Sequence, residues 1–238
     1  YRNEKSGELN GLLRVRSLTI DDTHTFIRYD QTYEELKRVL ILVKKVLQDF
    51  GFKKYKARIS TSDKNNFSKY LGAPKEWERA EDALKKGAQE LFEQITMGEG
   101  EAAFYGPKID IMIKDNINRE WQLSTIQLDY NQPKNFNMKY INEQGKEDYP
   151  AILHIAMVGS IERFMGILIE NYAGAFPTWL SPVQVMILPI ADRHAEYAKK
   201  VTQELKDNGI RAELDNRPER LQAKIRDSSL QKVPYLGI

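Results

Sequence analysis

Two arginines and an Asp–Thr–His segment near the start of the 238-residue chain could do chemistry together. Arg2 and Arg14 flank residues 3–11, which are rich in glycine, serine and asparagine and are typical of a turn. Two guanidinium groups on the arms of such a turn can bind a polyphosphate through forked, charge-assisted hydrogen bonds. Asp22 and His24 are spaced i, i+2, so their side chains project from the same face of an extended chain.

The elements predicted around these residues are those of an α+β domain. Between Leu12 and Ile20, apolar residues alternate with arginine and threonine, which predicts a half-buried antiparallel strand. Helical spacing of apolar residues predicts helices over 33–50, 77–94 and 160–172. Further strands are predicted over 55–60, 121–128 and 152–158, in the stretch 102–114 after a turn, and in a hairpin that contains 136–141 and Gly145. Short antiparallel strands backed by helices indicate the α+β class.

A second, smaller domain is predicted after a proline-rich segment. Pro177 and Pro182 lie close together, and beyond them strands alternate with helices. The predicted elements are a strand at 183–188, a helix at 194–206, a strand at 210–214, a helix at 221–230 and a strand from 234 onward. This alternation is typical of an α/β domain with parallel strands. We therefore expect domains at 1–176 and 183–238, joined by a linker at 177–182.

The bulk composition describes an ordinary globular protein. Its net charge is +2, so contacts with nucleic acid must come from local patches. The absence of cysteine favours a reducing compartment, and a cytoplasmic location is expected. No apolar run reaches transmembrane length, so no membrane partner is expected. Because the chain begins with Tyr1 and stops inside an apolar stretch, we expect it to be a piece of a longer protein.

The literal sequence around the arginines carries a more specific signal. It reads Arg2-Asn3-Glu4-x-Ser6-Gly7-x-Leu9-x-Gly11-Leu12-x-Arg14-Val15-Arg16, followed by Asp21-Asp22-x-His24. This string resembles motif 2 of the class II aminoacyl-tRNA synthetases, and it is most similar to the threonine-specific members. Gly159–Phe164 (Gly-Ser-Ile-Glu-Arg-Phe) resembles motif 3 of the same family. The resemblance implies a partial antiparallel-sheet catalytic core, without motif 1, followed by a truncated anticodon-binding domain.

The resemblance also implies an ATP site. Arg2 resembles the arginine that bridges the α-phosphate and the amino-acid carboxylate, and Arg163 resembles a partner of Arg14 at the γ-phosphate. These assignments make Arg2 and Arg163 the candidate catalytic residues. The remaining positions for ATP are Glu4 beside the adenine amine, Leu18 where the family usually has an aromatic residue, and Gln122 in the cleft. Mg²⁺ is expected to accompany ATP.

The same resemblance implies a threonine site beside a zinc ion. Asp22, Tyr105 and Gln127 resemble residues around the threonine amine and hydroxyl, and Lys108 lines the same cleft. His24 and His154 resemble two of three zinc ligands. The third family ligand is an upstream cysteine, which this chain lacks. The family often has an arginine after the ligand histidine, whereas this chain has Ile155.

The second domain resembles the anticodon-binding domain of this synthetase group. Candidate contacts with unstacked anticodon bases are Arg217, Glu219, Lys224, Arg226 and Lys232. For any one of these, a solvated surface charge is an equally good interpretation. Pro218 stands where the family is expected to have a polar residue.

The function implied is an ATP-dependent ligase that activates threonine and transfers it to the 3′ end of tRNA(Thr). The full-length family forms homodimers, and this piece alone is expected to be inactive. One alternative is a catalytically silent paralogue that binds tRNA or mRNA, toward which Leu18, Ile155 and the missing cysteine point. Another is a sister synthetase for proline, glycine or histidine, against which the pair His24 and His154 argues.

Overall fold

The computed structural model describes residues 1–238, which divide into two compact units, Tyr1–Ile167 and Leu168–Ile238. The helices are α1 (Thr32–Asp49), α2 (Pro74–Leu91), α3 (Gln132–Asn135), α4 (Ile161–Tyr172), α5 (Ala195–Asp207) and α6 (Leu221–Leu230). The strands are β1 (Thr23–Ile27), β2 (Tyr55–Thr61), β3 (Ile95–Glu99), β4 (Lys108–Lys114), β5 (Glu120–Asp129), β6 (Tyr140–Ile141), β7 (Glu147–Asp148), β8 (Ala151–Ala156), β9 (Val185–Ile187), β10 (Ala212–Leu214) and β11 (Tyr235–Gly237).

The first unit is built on a six-stranded sheet in the order β1-β8-β5-β4-β2-β3. Every neighbouring pair in it is antiparallel except β2 and β3, which run parallel. Strands β6 and β7 form a separate two-stranded hairpin. The α+β prediction is confirmed, although the parallel strand β3 was not predicted.

The two faces of the sheet differ in chemistry because β4 alternates strictly. Ile109, Ile111 and Ile113 are buried, whereas Lys108 and Asp110 occupy the intervening positions and so lie on the other face. Helices α1 and α2 pack against each other, and α2 contacts β2 and β4. Burying an aliphatic side chain of this size stabilises the fold by about 1.5–3 kcal/mol relative to exposing it. The opposite, polar face is therefore the one left for chemistry.

The two helices approach closely at one glycine. A Cβ at Gly87 of α2 would lie 3.2 Å from Cδ2 of Leu36 and 3.3 Å from Cδ1 of Leu40, both on α1. Those two leucines are fully buried. Gly87 therefore sets how near α1 comes to α2.

The strand predicted over Leu12–Ile20 is wrong. Residues 11–13 form a turn instead, with isolated bridges from Asn10 to Arg14 and from Ile20 to Ser160. Leu12 is 43% exposed and Ile20 is 45% exposed, so the apolar alternation does not bury one face. The regular strand in this region is β1, which begins at Thr23.

The second unit contains a three-stranded parallel sheet in the order β10-β9-β11. Helix α5 packs on β9 and β10, and α6 precedes the third strand. The α/β prediction for this part of the chain is confirmed. None of the helices in either unit is both long enough and apolar enough to cross a lipid bilayer.

Candidate active site

Four of the predicted site residues lie in one line across the sheet. His24 of β1 is the Cα partner of His154 of β8, His154 is the partner of Gln127 of β5, and Gln127 is the partner of Lys108 of β4. Directly opposed residues in a sheet point to the same face. The register of four adjacent strands therefore brings together residues that are up to 130 positions apart in the sequence (24 to 154).

The two histidines form the centre of a metal-compatible cluster. Their rings meet edge to face with centroids 4.6 Å apart. One ligand atom each from Asp22, His24 and His154 lies within 4.8 Å of the other two, and the Asp22 carboxylate is 4.0 Å from Nε2 of His24. The two imidazoles are ligands that suit Zn²⁺, and Asp22 places a carboxylate beside them. The residues present therefore fit the metal that the resemblance implies.

Asp129 orients one of these rings, and sequence reasoning did not single it out. Its side chain is fully buried, and Oδ2 lies 3.2 Å from Nε2 of His154. The other oxygen, Oδ1, accepts backbone N–H bonds from Asn131 at 2.7 Å and Gln132 at 3.0 Å. A carboxylate held in this way fixes the imidazole and leaves Nδ1 as its remaining nitrogen. The usable signal was its spacing, two residues after Gln127 on the same strand face.

Tyr105 and Gln127 complete the wall beside the histidines. The Tyr105 ring is 5.9 Å from the His154 ring, and Gln127 Nε2 donates to the Gly106 carbonyl at 3.0 Å. Burial, together with the nearby carboxylates of Asp129 and Asp22, raises the pKa of the Tyr105 hydroxyl. The phenol therefore stays protonated and can donate a hydrogen bond at neutral pH.

Gly106 is required by a close approach of two backbones. A Cβ at this position would lie 1.7 Å from the Leu128 carbonyl oxygen, which no side chain can occupy. The turn that carries Tyr105 can therefore pass over β5 only with glycine here.

A cluster of arginines forms the other end of the site. Arg163 of α4 donates from Nε to the Leu13 carbonyl and from an Nη to the Gln122 carbonyl, each at 2.9 Å. Its guanidinium also lies over the Trp121 ring, 5.3 Å from the centroid. Burial, followed by repulsion from Arg2 and Arg14, lowers the pKa of Arg163. Positive charges that repel one another in a partly buried site favour a bound anion.

Glu4 and Arg14 form an ion pair within this region. The Arg14 guanidinium lies 2.9 Å from Oε2 of Glu4, and this contact lowers the pKa of Glu4. Arg16 donates to the Glu4 carbonyl, and the Arg2 N–H donates to the Arg16 carbonyl at 2.7 Å. Leu18 is partly buried. Four of the residues predicted for ATP, namely Arg2, Glu4, Arg14 and Leu18, therefore lie in one folded loop, whereas Gln122 lies on β5 and Arg163 on α4. Glu4 and Arg14 already contact each other.

Two carboxylates tie this loop to α4 and to the segment between β8 and α4, and neither contact was predicted. The Thr19 N–H donates to Glu162 at 3.0 Å. In the opposite direction, Oδ2 of Asp21 accepts the N–H groups of Met157 at 2.7 Å and Val158 at 3.0 Å. We call this pair of contacts the Asp21–Glu162 clamp. It holds the segment that leads into Asp22 and His24 against the start of the helix that carries Arg163.

The predicted anticodon residues have different environments. Arg217 is held by Asp215, with contacts of 2.9 Å and 2.7 Å, and by Asp227 at 3.0 Å. These carboxylates raise the pKa of Arg217. The interpretation of Lys224 as part of an exposed basic edge is wrong, because it is only 4% exposed and lies under the Pro189 carbonyl. Glu219, Arg226 and Lys232 are exposed.

Comparison with known proteins defines the class of this site. Residues 1–172 match the family model for the tRNA synthetase class II core domain (G, H, P, S and T), and residues 184–238 match the anticodon binding domain. The chain therefore belongs to the class II aminoacyl-tRNA synthetase core family. Enzymes of this family use ATP with Mg²⁺.

The similar proteins are more specific. A threonine–tRNA ligase from Rubrobacter xylanophilus is 50% identical over 238 residues, which is 100% of this chain and 37% of that protein. One from Thermus thermophilus is 49% identical over 236 residues, 99% of this chain and 36% of that protein. The solved RNA binding domain of threonyl-tRNA synthetase from Cryptosporidium parvum Iowa II superposes with a TM-score of 0.90 at 38% identity, covering 98% of this chain and 58% of that one. The resemblance to the threonine-specific members is confirmed.

Proposed function

We propose that the chain is the catalytic-core and anticodon-domain portion of a threonine–tRNA ligase. The observation that carries this proposal is the opposed pair His24 and His154, with Asp22 beside it and the arginine cluster at the other end of the site. The chain spans 36–37% of the length of the threonine–tRNA ligases from Rubrobacter xylanophilus, Chloroherpeton thalassium and Thermus thermophilus. We therefore assign the activity to the full-length protein.

The arginine cluster would position ATP for the first step. The threonine carboxylate attacks the α-phosphorus, an acyl phosphate bond forms, and pyrophosphate leaves with the electrons of the broken bond. The protein has no covalent chemistry to do, so its contribution is positioning and stabilisation of phosphate charge. Arg163 is already oriented for this work by two backbone carbonyls and the Trp121 ring. In the second step, the terminal ribose hydroxyl of tRNA(Thr) attacks the acyl carbonyl and releases AMP.

His24 and His154 would hold Zn²⁺ with a third ligand, a cysteine that this chain does not contain. When bound, the ion would act as a Lewis acid that binds the amine and hydroxyl of threonine. Asp129 keeps the His154 ring in place, and the Asp22 carboxylate can accept the hydrogen bond of the threonine hydroxyl. Valine is nearly isosteric with threonine but lacks that hydroxyl. A site built to bind the hydroxyl rejects valine far more strongly than an apolar pocket could.

The second unit would bind the anticodon of tRNA(Thr). Exposed Arg226 and Lys232 are available for contacts with phosphates or bases, whereas Arg217 is engaged by two aspartates. We place the boundary between the catalytic and anticodon domains in residues 177–182, between the two family matches at 1–172 and 184–238. We further propose that the full-length enzyme acts as a homodimer in the cytoplasm.

The test uses the full-length protein in amino-acid-dependent pyrophosphate exchange. We expect exchange with threonine, detectable exchange with serine, which keeps the hydroxyl, and negligible exchange with valine. The protein should bind one zinc per chain, and His154→Ala should release it and abolish exchange. His194→Ala is the matched control, because His194 is exposed and lies in the second unit. Full threonine exchange by a metal-free His154→Ala protein would refute the proposal.

A further inference from the structure

Asp110 is a buried carboxylate at the centre of a side-chain network on the site face of the sheet. It is 4% exposed. Its Oδ2 lies 2.7 Å from Nζ of Lys108, and its Oδ1 accepts hydrogen bonds of 2.8 Å from both Gln122 Nε2 and Thr125 Oγ1. All three partners lie on β4 or β5. Asp110 therefore contacts two residues predicted to line the substrate cleft, Lys108 and Gln122.

These contacts fix which way the Gln122 amide points. Nε2 of Gln122 has two N–H donors, and both are used, one by Asp110 and one by Thr125 Oγ1 at 2.7 Å. Thr125 gives its own proton to Asp110, so its oxygen can accept from Gln122. A reversed amide would place two acceptors, the Gln122 carbonyl and the Asp110 carboxylate, against each other. The network is satisfied in one orientation only.

That orientation leaves one polar atom of the Gln122 side chain without a protein partner, the carbonyl oxygen Oε1. The main-chain carbonyl of the same residue accepts a hydrogen bond from Arg163 at 2.9 Å. Gln122 therefore stands between the arginine cluster and the Lys108–Asp110 pair. An acceptor at this place cannot bind a phosphate oxygen, which is itself an acceptor.

We propose that Asp110 is a positioning residue that locks Gln122 as a hydrogen-bond acceptor for a donor group on the nucleotide, either a ribose hydroxyl or the adenine amino group. The inference rests on the proposed function, because it takes Gln122 as part of the ATP site. Two kinds of side chain would then recognise ATP. The arginines bind the phosphates, and Gln122 accepts a hydrogen bond from the nucleoside.

The test compares ATP with three analogues in the full-length protein: 2′-deoxy-ATP, 3′-deoxy-ATP and the triphosphate of purine riboside, which lacks the amino group. Nucleotide affinity is measured by calorimetry, and kcat/KM by threonine-dependent pyrophosphate exchange. Wild type should prefer ATP over one analogue by about three- to tenfold, the usual size of one hydrogen bond. The analogue that binds more weakly than ATP lacks the group that donates a hydrogen bond to Gln122.

Two variants separate positioning from general structure. Gln122→Leu should reduce the ratio of the affinities for ATP and that analogue to about one, because leucine has no hydrogen-bond acceptor. Asp110→Asn should reduce it too, because an amide can donate as well as accept and no longer enforces one orientation of Gln122. In the double variant, Asp110→Asn should cause no further loss of preference. Glu81→Gln is the control, a buried acid on α2 that accepts from Ser62, and it should keep the wild-type preference.

The outcomes that overturn the inference are distinct from failure of the proposed function. If Asp110→Asn weakens ATP and every analogue by the same factor, Asp110 is merely structural. If Gln122→Leu keeps the wild-type preference, Gln122 does not accept a hydrogen bond from the nucleotide. This comparison remains valid even if the Asp110 variants fail to fold. If wild type binds nucleotides but does not activate threonine, the proposed function fails while the calorimetric comparison still decides the role of Asp110.

Discussion

His24 and His154 are Cα partners on adjacent antiparallel strands, and their rings meet edge to face with centroids 4.6 Å apart. The pairing is a consequence of sheet register. A slip of one residue would turn one of the two side chains to the helix-covered face of the sheet. The geometry of the proposed metal site is therefore set by backbone hydrogen bonds between β1 and β8.

Replacement of Arg163 by alanine should lower threonine-dependent pyrophosphate exchange at least about tenfold, because loss of a charge-assisted contact costs about 1.5–3 kcal/mol. Arg163→Lys should recover little of the rate, since an ammonium cannot reproduce the two directional bonds to Leu13 and Gln122. Arg119→Ala is a matched control. Its guanidinium also lies over the Trp121 ring, at 5.4 Å, but it is paired with Asp115. An equal loss in both alanine variants would assign the effect to packing on Trp121.

Replacement of Asp129 by asparagine should weaken zinc binding by about 10–100-fold, the usual effect of removing a carboxylate that orients a ligand histidine. The measurement is competition with a chelator in the full-length protein, which needs no enzymatic activity. Asp22→Asn is the useful comparison, because Asp22 faces His24 and is exposed, whereas Asp129 is fully buried behind His154. Unchanged zinc affinity in a folded Asp129→Asn protein would contradict the orienting role.

Replacement of Arg226 by alanine should slow charging of tRNA(Thr) and leave tRNA-independent adenylate formation intact. The reason is that Arg226 is an exposed cation of α6, in the anticodon-domain match at 184–238. Arg217→Ala makes an informative contrast. Because Asp215 and Asp227 hold Arg217, its loss should lower stability as well as charging. Equal loss of tRNA charging and adenylate formation in Arg226→Ala would contradict the assignment of these two functions to separate domains.

Stability should fall in acid partly through Asp115. Burial by itself would raise the pKa of this carboxyl, but hydrogen bonds from Trp121, Arg119 and backbone N–H groups outweigh it and lower the pKa from 3.8 to about 2. A carboxyl whose pKa is lower in the folded state stabilises the protein above pH 3.8, and that contribution is lost as the pH falls toward 2. Asp115→Asn should therefore reduce the pH dependence of the free energy of unfolding between pH 3.8 and about pH 2. Denaturant unfolding of both proteins at several pH values measures the difference.

The regular elements were predictable because their signals are local. The apolar spacing of 33–50 and the alternation of 55–60 correspond closely to α1 and β2. The conformation of residues 12–20 was not predictable, because contacts that hold this segment come from far along the chain. Its backbone N–H at Thr19 is bound by Glu162, and no periodicity in residues 12–20 reports that partner.

The site shows the same division. Residues within the family motifs, such as Arg163 and His24, were identified from the literal sequence. Asp110 and Asp129 were not, because an aspartate in a strand becomes informative only when the register shows which side chains it faces. Sequence patterns thus indicated the side chains proposed to contact the substrate more readily than the side chains that position them.

The Asp21–Glu162 clamp has a consequence for the order of events during synthesis. Asp21 and Met157 are separated by 136 residues in the sequence. Likewise, β1, which carries His24, pairs with β8, which is synthesised much later. Contacts of such separation form late, since the intervening loop must close first. As the ribosome extends the chain, α1, β2 and α2 can fold while β1 still has no neighbour. We expect a nascent chain stalled before β8 to resist proteolysis in its helices and to be cleaved readily around residues 1–27.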